Sequence, residues 1–116
     1  MHCSLEDLAR YAAFHVAGHN GDTPLLTKAS FQKLHTAYPN NADYAHGWTA
    51  LDRPWGGTDK VLNHSGSNTL WFTNIWMAPA RGFAVIATCN MAGSPTNRGA
   101  AATTQVVTQV INEFLN

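Results

Sequence analysis

Asn63-His64-Ser65-Gly66-Ser67-Asn68, with apolar runs at residues 71–78 and 83–89 directly behind it, is the stretch on which the fold turns. A basic or polar residue, a small hydroxyl residue and a glycine in succession let a strand edge lie close against a bound molecule, because glycine places no side chain in the way. Behind it, Trp71-Phe72-Thr73-Asn74-Ile75-Trp76-Met77 and Phe83-Ala84-Val85-Ile86-Ala87-Thr88 are rich in aromatic and β-branched residues and read as strands. Pro79-Ala80-Arg81-Gly82 supplies the reversal between them. The second run is apolar on both faces, which predicts an interior strand covered by helices on both sides.

Working outward, Tyr44, Trp48, Leu51, Val61 and Leu62 lie among Gly, Pro and Asp, as in two strands, near residues 44–51 and 60–64, joined by a loop over 53–58. At the start of the chain Ser4 precedes Glu6 and Asp7, and Leu5, Leu8, Ala12 and Val16 recur at helical spacing. Ser4 is thus a natural N-cap for a helix over residues 5–17, with Gly18 as its stop. A turn over 19–22 follows, and Thr27 is placed to cap a second short helix that carries Phe31 and Leu34 toward a core and ends by Pro39, Asn40 and Asn41. Beyond a polar loop over 90–98, Thr103, Val106, Val107, Val110, Ile111 and Phe114 recur at helical intervals and predict a closing amphipathic helix. The expected fold is α+β: an antiparallel sheet of about four strands with flanking N- and C-terminal helices.

Composition narrows the function classes. With 116 residues the chain has the size of one domain. Seven Lys plus Arg balance seven Asp plus Glu and only 12% of residues are charged, so no basic face of the kind that collects nucleic-acid phosphates is expected. No apolar run reaches the roughly 20 residues that span a bilayer, and no targeting signal is readable at the N-terminus. Cys3 and Cys89 fit neither a zinc pattern nor a disulfide framework, and free thiols are expected.

The order of strand, His64-Ser65-Gly66, strand, Pro-containing turn, apolar strand ending in Cys89-Asn90, and closing helix resembles the C-terminal part of the serine beta-lactamase-related family. That family includes class C-type beta-lactamases, D-alanyl-D-alanine carboxypeptidases and related esterases. Ser4-Leu5-Glu6-Asp7-Leu8-Ala9-Arg10-Tyr11 is similar to the helix after the family's second motif, and Tyr44-Ala45-His46-Gly47-Trp48 to its Tyr-Gly-x-Gly-Trp strand. The resemblance implies that residues 1–116 form a single unit corresponding to the C-terminal fragment of a larger serine hydrolase domain, with a partial beta-lactamase/transpeptidase-like fold. It implies acyl-enzyme hydrolysis of an ester, amide or beta-lactam in the complete enzyme, without a cofactor or metal. It also implies a setting that in this family is often periplasmic or secreted.

On this resemblance His64 takes the position of the basic residue that holds a substrate carboxylate and tunes local protons. Ser65 takes the hydroxyl position that hydrogen-bonds substrate, and Gly66 leaves room for the acyl chain. The backbone N–H of Ser67 would be one of two oxyanion donors, the other belonging to the nucleophile. Histidine in place of the usual lysine points away from beta-lactams and toward esters, since a neutral imidazole attracts a carboxylate far less than an ammonium does. The family's Ser-x-x-Lys and Tyr motifs lie upstream of the segment this chain matches, so the chain alone is expected to be inactive.

Rival readings come from within the chain. Ser30-Phe31-Gln32-Lys33 fits Ser-x-x-Lys literally, with Tyr44-x-His46 and His64-Ser65-Gly66 following in order, but the spacing leaves no room for the helical subdomain that carries the family's tyrosine loop. His15 and His19 stand four apart, as zinc ligands on one helix face do, yet Gly18 between them is expected to end the helix and no third ligand is evident. Trp48, Trp55, Trp71 and Trp76 read as sheet-face packing rather than a ligand platform. A second functional class stands beside the hydrolase: a self-standing non-catalytic binding or self-assembly module. On the hydrolase reading, a missing N-terminal segment leaves a sheet edge open, and the expected partner is a second copy in a homodimer, or that segment supplied by complementation.

Overall fold

The computed structural model describes residues 2–91 and 98–115. Most of the expected polar loop over 90–98 lies outside the described residues. Helix α1 (Leu5–Asn20) and helix α2 (Lys28–His35) open the chain, and strands β1 (Tyr44–Ala45), β2 (Trp48–Leu51), β3 (Val61–Ser67), β4 (Phe72–Ala78) and β5 (Phe83–Cys89) follow. Helix α3 (Arg98–Leu115) closes it. The architecture is α+β, with one antiparallel sheet of order β1-β2-β3-β4-β5, so every strand pairs with its sequence neighbour.

The sheet has five strands rather than about four because the segment from residue 44 to 51 folds back on itself. His46 and Gly47 sit at φ 41° and 98°, the paired left-handed conformations of a two-residue hairpin whose twist matches the flanking strands. Pro79–Arg81 forms a single 3-10 turn and Gly82, at φ 63°, completes the reversal between β4 and β5. Strand β3 continues through the glycine to Ser67, farther than the expected end near residue 64.

Two of the sequence expectations for the helices change. Gly18 does not stop α1, which runs to Asn20 and is capped by Gly21 in the left-handed conformation at φ 93°. Gly18 is instead buried against α2: a Cβ there would lie 2.1 Å from Cε2 of Phe31. Its lack of a side chain serves helix approach, not helix termination. In α3 the buried stripe is Thr103, Val107 and Ile111, four apart, while Val106 and Phe114 lie one position around the helix and are 47% and 68% exposed. The N-caps hold as read: Ser4 Oγ accepts the Asp7 N–H at 3.1 Å, and Thr27 Oγ1 accepts the Ser30 N–H at 3.2 Å.

The sheet divides two apolar clusters. On the α1 side Ala12 and Val16 pack with Ala45, Trp48, Ala50, Leu62, Ile75 and Met77, and Ala84 and Ile86 of β5 join them. On the α3 side Val85 and Ala87 of β5 pack with Val107 and Ile111, flanked by Trp55, Trp76 and Phe83. Strand β5 therefore buries both faces, as its composition requires. It is nevertheless the last strand of the sheet and not an interior one, because among the described residues it pairs with β4 alone. No helix among the described residues is long and apolar enough to cross a membrane.

Candidate functional site

Strand β2 pairs with β3 only as far as Thr49 opposite Asn63. Residues 64–67 continue past the end of β2, still paired with β4 but open on the other side. The His-Ser-Gly segment thus lies at a strand edge, as its composition suggests. A cleft of about 860 Å³ opens along this edge. His64, Gly66 and Ser67 form one wall, and Leu5, Leu8 and Tyr11 of α1 line it together with Trp48, Trp71 and Ile75. A Cβ placed on Gly66 would meet nothing within 4 Å, so the glycine keeps space open rather than easing a contact.

His64 is held by the β1–β2 turn. Its Nδ1 donates to the Gly47 carbonyl at 2.6 Å, and because a carbonyl only accepts, the proton stays on Nδ1. Nε2 is then the nitrogen left to accept a hydrogen bond or a proton. Trp48 stands edge-on to the same ring, 6.2 Å between centroids. His46, in the turn itself, also lines the cleft and pairs through Nδ1 with the Tyr38 hydroxyl at 3.0 Å. Among the tryptophans, Trp48 and the edge-to-face pair Trp55 and Trp76 pack against the sheet as read, whereas Trp71 is 54% exposed and forms part of the cleft.

Of the four residues assigned to the site by sequence, three border the cleft and Ser65 does not. Ser65 is the cross-strand partner of Asn74, and paired residues share a sheet face. The Asn74 side chain hydrogen-bonds Asn63 at 3.0 Å and Thr104 of α3 at 3.5 Å, on the face away from α1. The literal Ser-x-x-Lys segment is elsewhere: neither Ser30 nor Lys33 borders the cleft, and the Ser30 hydroxyl is engaged with that of Thr27 at 2.9 Å in the cap of α2. Cys3, an exposed free thiol, lies at the cleft mouth, and Cys89 is likewise free.

No family model, curated protein or solved structure matches the chain.

A second polar cluster was not legible in the sequence. Because α1 continues through Gly18, His15 and His19 do share a helix face, and His35 of α2 lies between them. His15 Nδ1 is 2.9 Å from His35 Nε2, His35 Nδ1 is 3.2 Å from His19 Nδ1, and His19 Nε2 is 2.9 Å from Asp59 Oδ2. His35 spends its two nitrogens on different neighbours, so the three rings do not converge on one point. Among the described residues no group of three or more His, Cys, Asp or Glu is arranged to hold a metal ion. Burial lowers the pKa of His15, and burial followed by repulsion from His15 and His19 lowers that of His35 to about 4.

Proposed function

We propose that this chain is the substrate-binding part of a beta-lactamase-related serine hydrolase, which takes the acyl portion of an uncharged ester into the cleft beside β3 and has no turnover alone. The observation that carries the reading is the edge of residues 64–67, unpaired on one side, glycine-bearing, and forming one wall of a largely apolar cleft. His64 supplies an oriented Nε2 acceptor, and the Ser67 N–H is the candidate half of an oxyanion hole. The described walls contain Ser4 and Ser67 but no lysine, so on this reading the Ser-Lys pair on which the family relies comes from a segment outside the cleft. The aromatic lining and an imidazole in place of an ammonium favour an aryl-alkyl ester over an anionic beta-lactam.

Titration of the 15N-labelled chain with methyl phenylacetate tests this. Amide shifts are expected at Gly66, Ser67, Trp71 and Tyr11, without release of the acid. Gly66→Val, which adds a side chain facing open space, leaves the fold intact and removes those shifts. Shifts confined to other surfaces, or unaltered in Gly66→Val, would sink the proposal.

The outer edge of β5 favours a second reading, a self-assembly module. Strand β5 spans seven residues, and alternate ones along it turn their N–H and C=O groups away from β4, unpaired by any described strand, the arrangement that templates strand addition from a second copy or from a complementing segment. We expect a two-fold dimer. Sedimentation equilibrium over a hundredfold concentration range is the measurement, and a monomer throughout rules out self-assembly while leaving the ester titration to judge the hydrolase reading.

A further inference from the structure

The four side chains His15, His35, His19 and Asp59 form one unbranched hydrogen-bonded series from the interior to the surface. Its inner end is buried, His15 and His35 being 5% and 7% exposed, and its outer end at Asp59 is in solvent. His15 lies directly behind the cleft, with ring centroids 4.6 Å from Tyr11 and 5.3 Å from Trp48, both of which line it. Phe14 and Phe31 stand edge-on to the His15 ring and complete an aromatic enclosure. Among the described residues, Asp59 is the one charged group hydrogen-bonded to the three rings; the neighbouring Lys60 is taken by Asp52 at 2.9 Å.

We propose that this series is a histidine proton relay that carries a proton from behind the cleft wall to His19, where the charge is held beside the surface carboxylate of Asp59.

The carboxylate fixes the tautomers. Ionised Asp59 only accepts, so His19 donates from Nε2 and its Nδ1 is an acceptor. His35 must then donate from Nδ1 and accept at Nε2, which requires His15 to donate from Nδ1. Each ring is neutral and each contact has one proton. When a proton arrives at His15 Nε2, a new N–H bond forms there. The Nδ1–H of His15 breaks as an Nε2–H forms on His35, and the Nδ1–H of His35 breaks as an Nδ1–H forms on His19. Two N–H bonds break and three form, the third made by the added proton. His15 and His35 end neutral in the opposite tautomer, and the charge rests on His19 beside Asp59.

Burial explains why the charge does not stay inside. An imidazolium at His35 would have to leave water and sit between two other imidazoles, which is what lowers its pKa. At His19 the charge has an ion-pair partner 2.9 Å away. The relay therefore moves charge without a buried ion persisting at either inner ring. It stands independently of the hydrolase reading, since it uses no residue of the β3 edge.

The test is 15N NMR of the imidazole nitrogens in the full chain as pH is lowered from about 8 to about 5. As His19 becomes doubly protonated, His15 and His35 are expected to remain neutral and to change together from the Nδ1–H to the Nε2–H form. Asp59→Asn, at a half-exposed position, removes the ion-pair partner of the charged His19 and should displace all three changes together toward acid. His35→Phe keeps an aromatic ring but interrupts the series, and His15 should then hold one tautomer throughout. If His35→Phe does not fold, the wild-type and Asp59→Asn titrations decide alone. A fixed tautomer at His15 or His35 while His19 titrates, or an imidazolium at either, overturns the relay, as does an Asp59→Asn chain in which only His19 responds.

Discussion

Gly18→Ala is expected to lower the stability of the chain by about 2–3 kcal/mol, against the direction of helix propensity. In an exposed helix interior the same change gains about 1 kcal/mol. Here the new methyl would sit 2.1–2.4 Å from three carbons of the Phe31 ring, which is itself fully buried and edge-on to Phe14. The ring cannot turn aside without moving α2, and overpacking of this kind costs about 1–3 kcal/mol or more beyond any local gain. The check is a double-mutant cycle by urea denaturation: Gly18→Ala in a Phe31→Val background should lose most of its penalty, giving a coupling of at least about 1 kcal/mol. Additivity within about 0.5 kcal/mol would mean that the two helices do not meet through this contact.

Leu62→Ala should cost about 3–4 kcal/mol. Leu62 and Met77 are cross-strand partners in β3 and β4, 1% and 0% exposed, and they join the strand bearing the cleft edge to the α1-side core. Truncation removes the transfer energy of the lost carbons and leaves a cavity walled by strands that cannot close in. Measured by urea unfolding, the loss would be a large share of the roughly 5–15 kcal/mol typical of a whole domain. A loss below about 1 kcal/mol would require a core loose enough to refill the space.

The strands after Leu70 were legible because their periodicity, length and turn chemistry agree: β4 and β5 lie where the apolar runs are, and Pro79 and Gly82 make the reversal. The caps at Ser4 and Thr27 were readable for the same reason, since an N-cap is a local contact. Glycine both ends helices and admits close neighbours, so from sequence Gly18 reads as a stop, and only its tertiary partner, Phe31, tells the two roles apart. A helix ending at Gly18 leaves His19 outside it, and nothing in the spacing of His35 or Asp59 links them to α1, so the histidine series has no signal in the sequence. The edge position of β5 was likewise beyond reach, because two apolar faces report coverage by helices and not the number of strand neighbours. At the cleft, the family resemblance points to residues 64–67 as a run, and only the folded chain separates them: His64, Gly66 and Ser67 border the cavity, whereas Ser65 lies opposite Asn74 on the face toward α3.

The neighbour-to-neighbour strand order also has a kinetic side. Each strand pair closes through a short connection, so the meander from β1 to β5 can zip up from local encounters with little loop-closure cost. Helix α1 is different: it packs on β4 and β5, and the Asn20 side chain donates to the Pro79 carbonyl at 3.2 Å, across most of the sheet-forming sequence. Its docking closes the longest loop and completes the cleft, since Leu5, Leu8 and Tyr11 form the opposing wall. Formation of the cleft is thereby tied to a contact of long sequence separation, whereas the sheet itself is built from local ones.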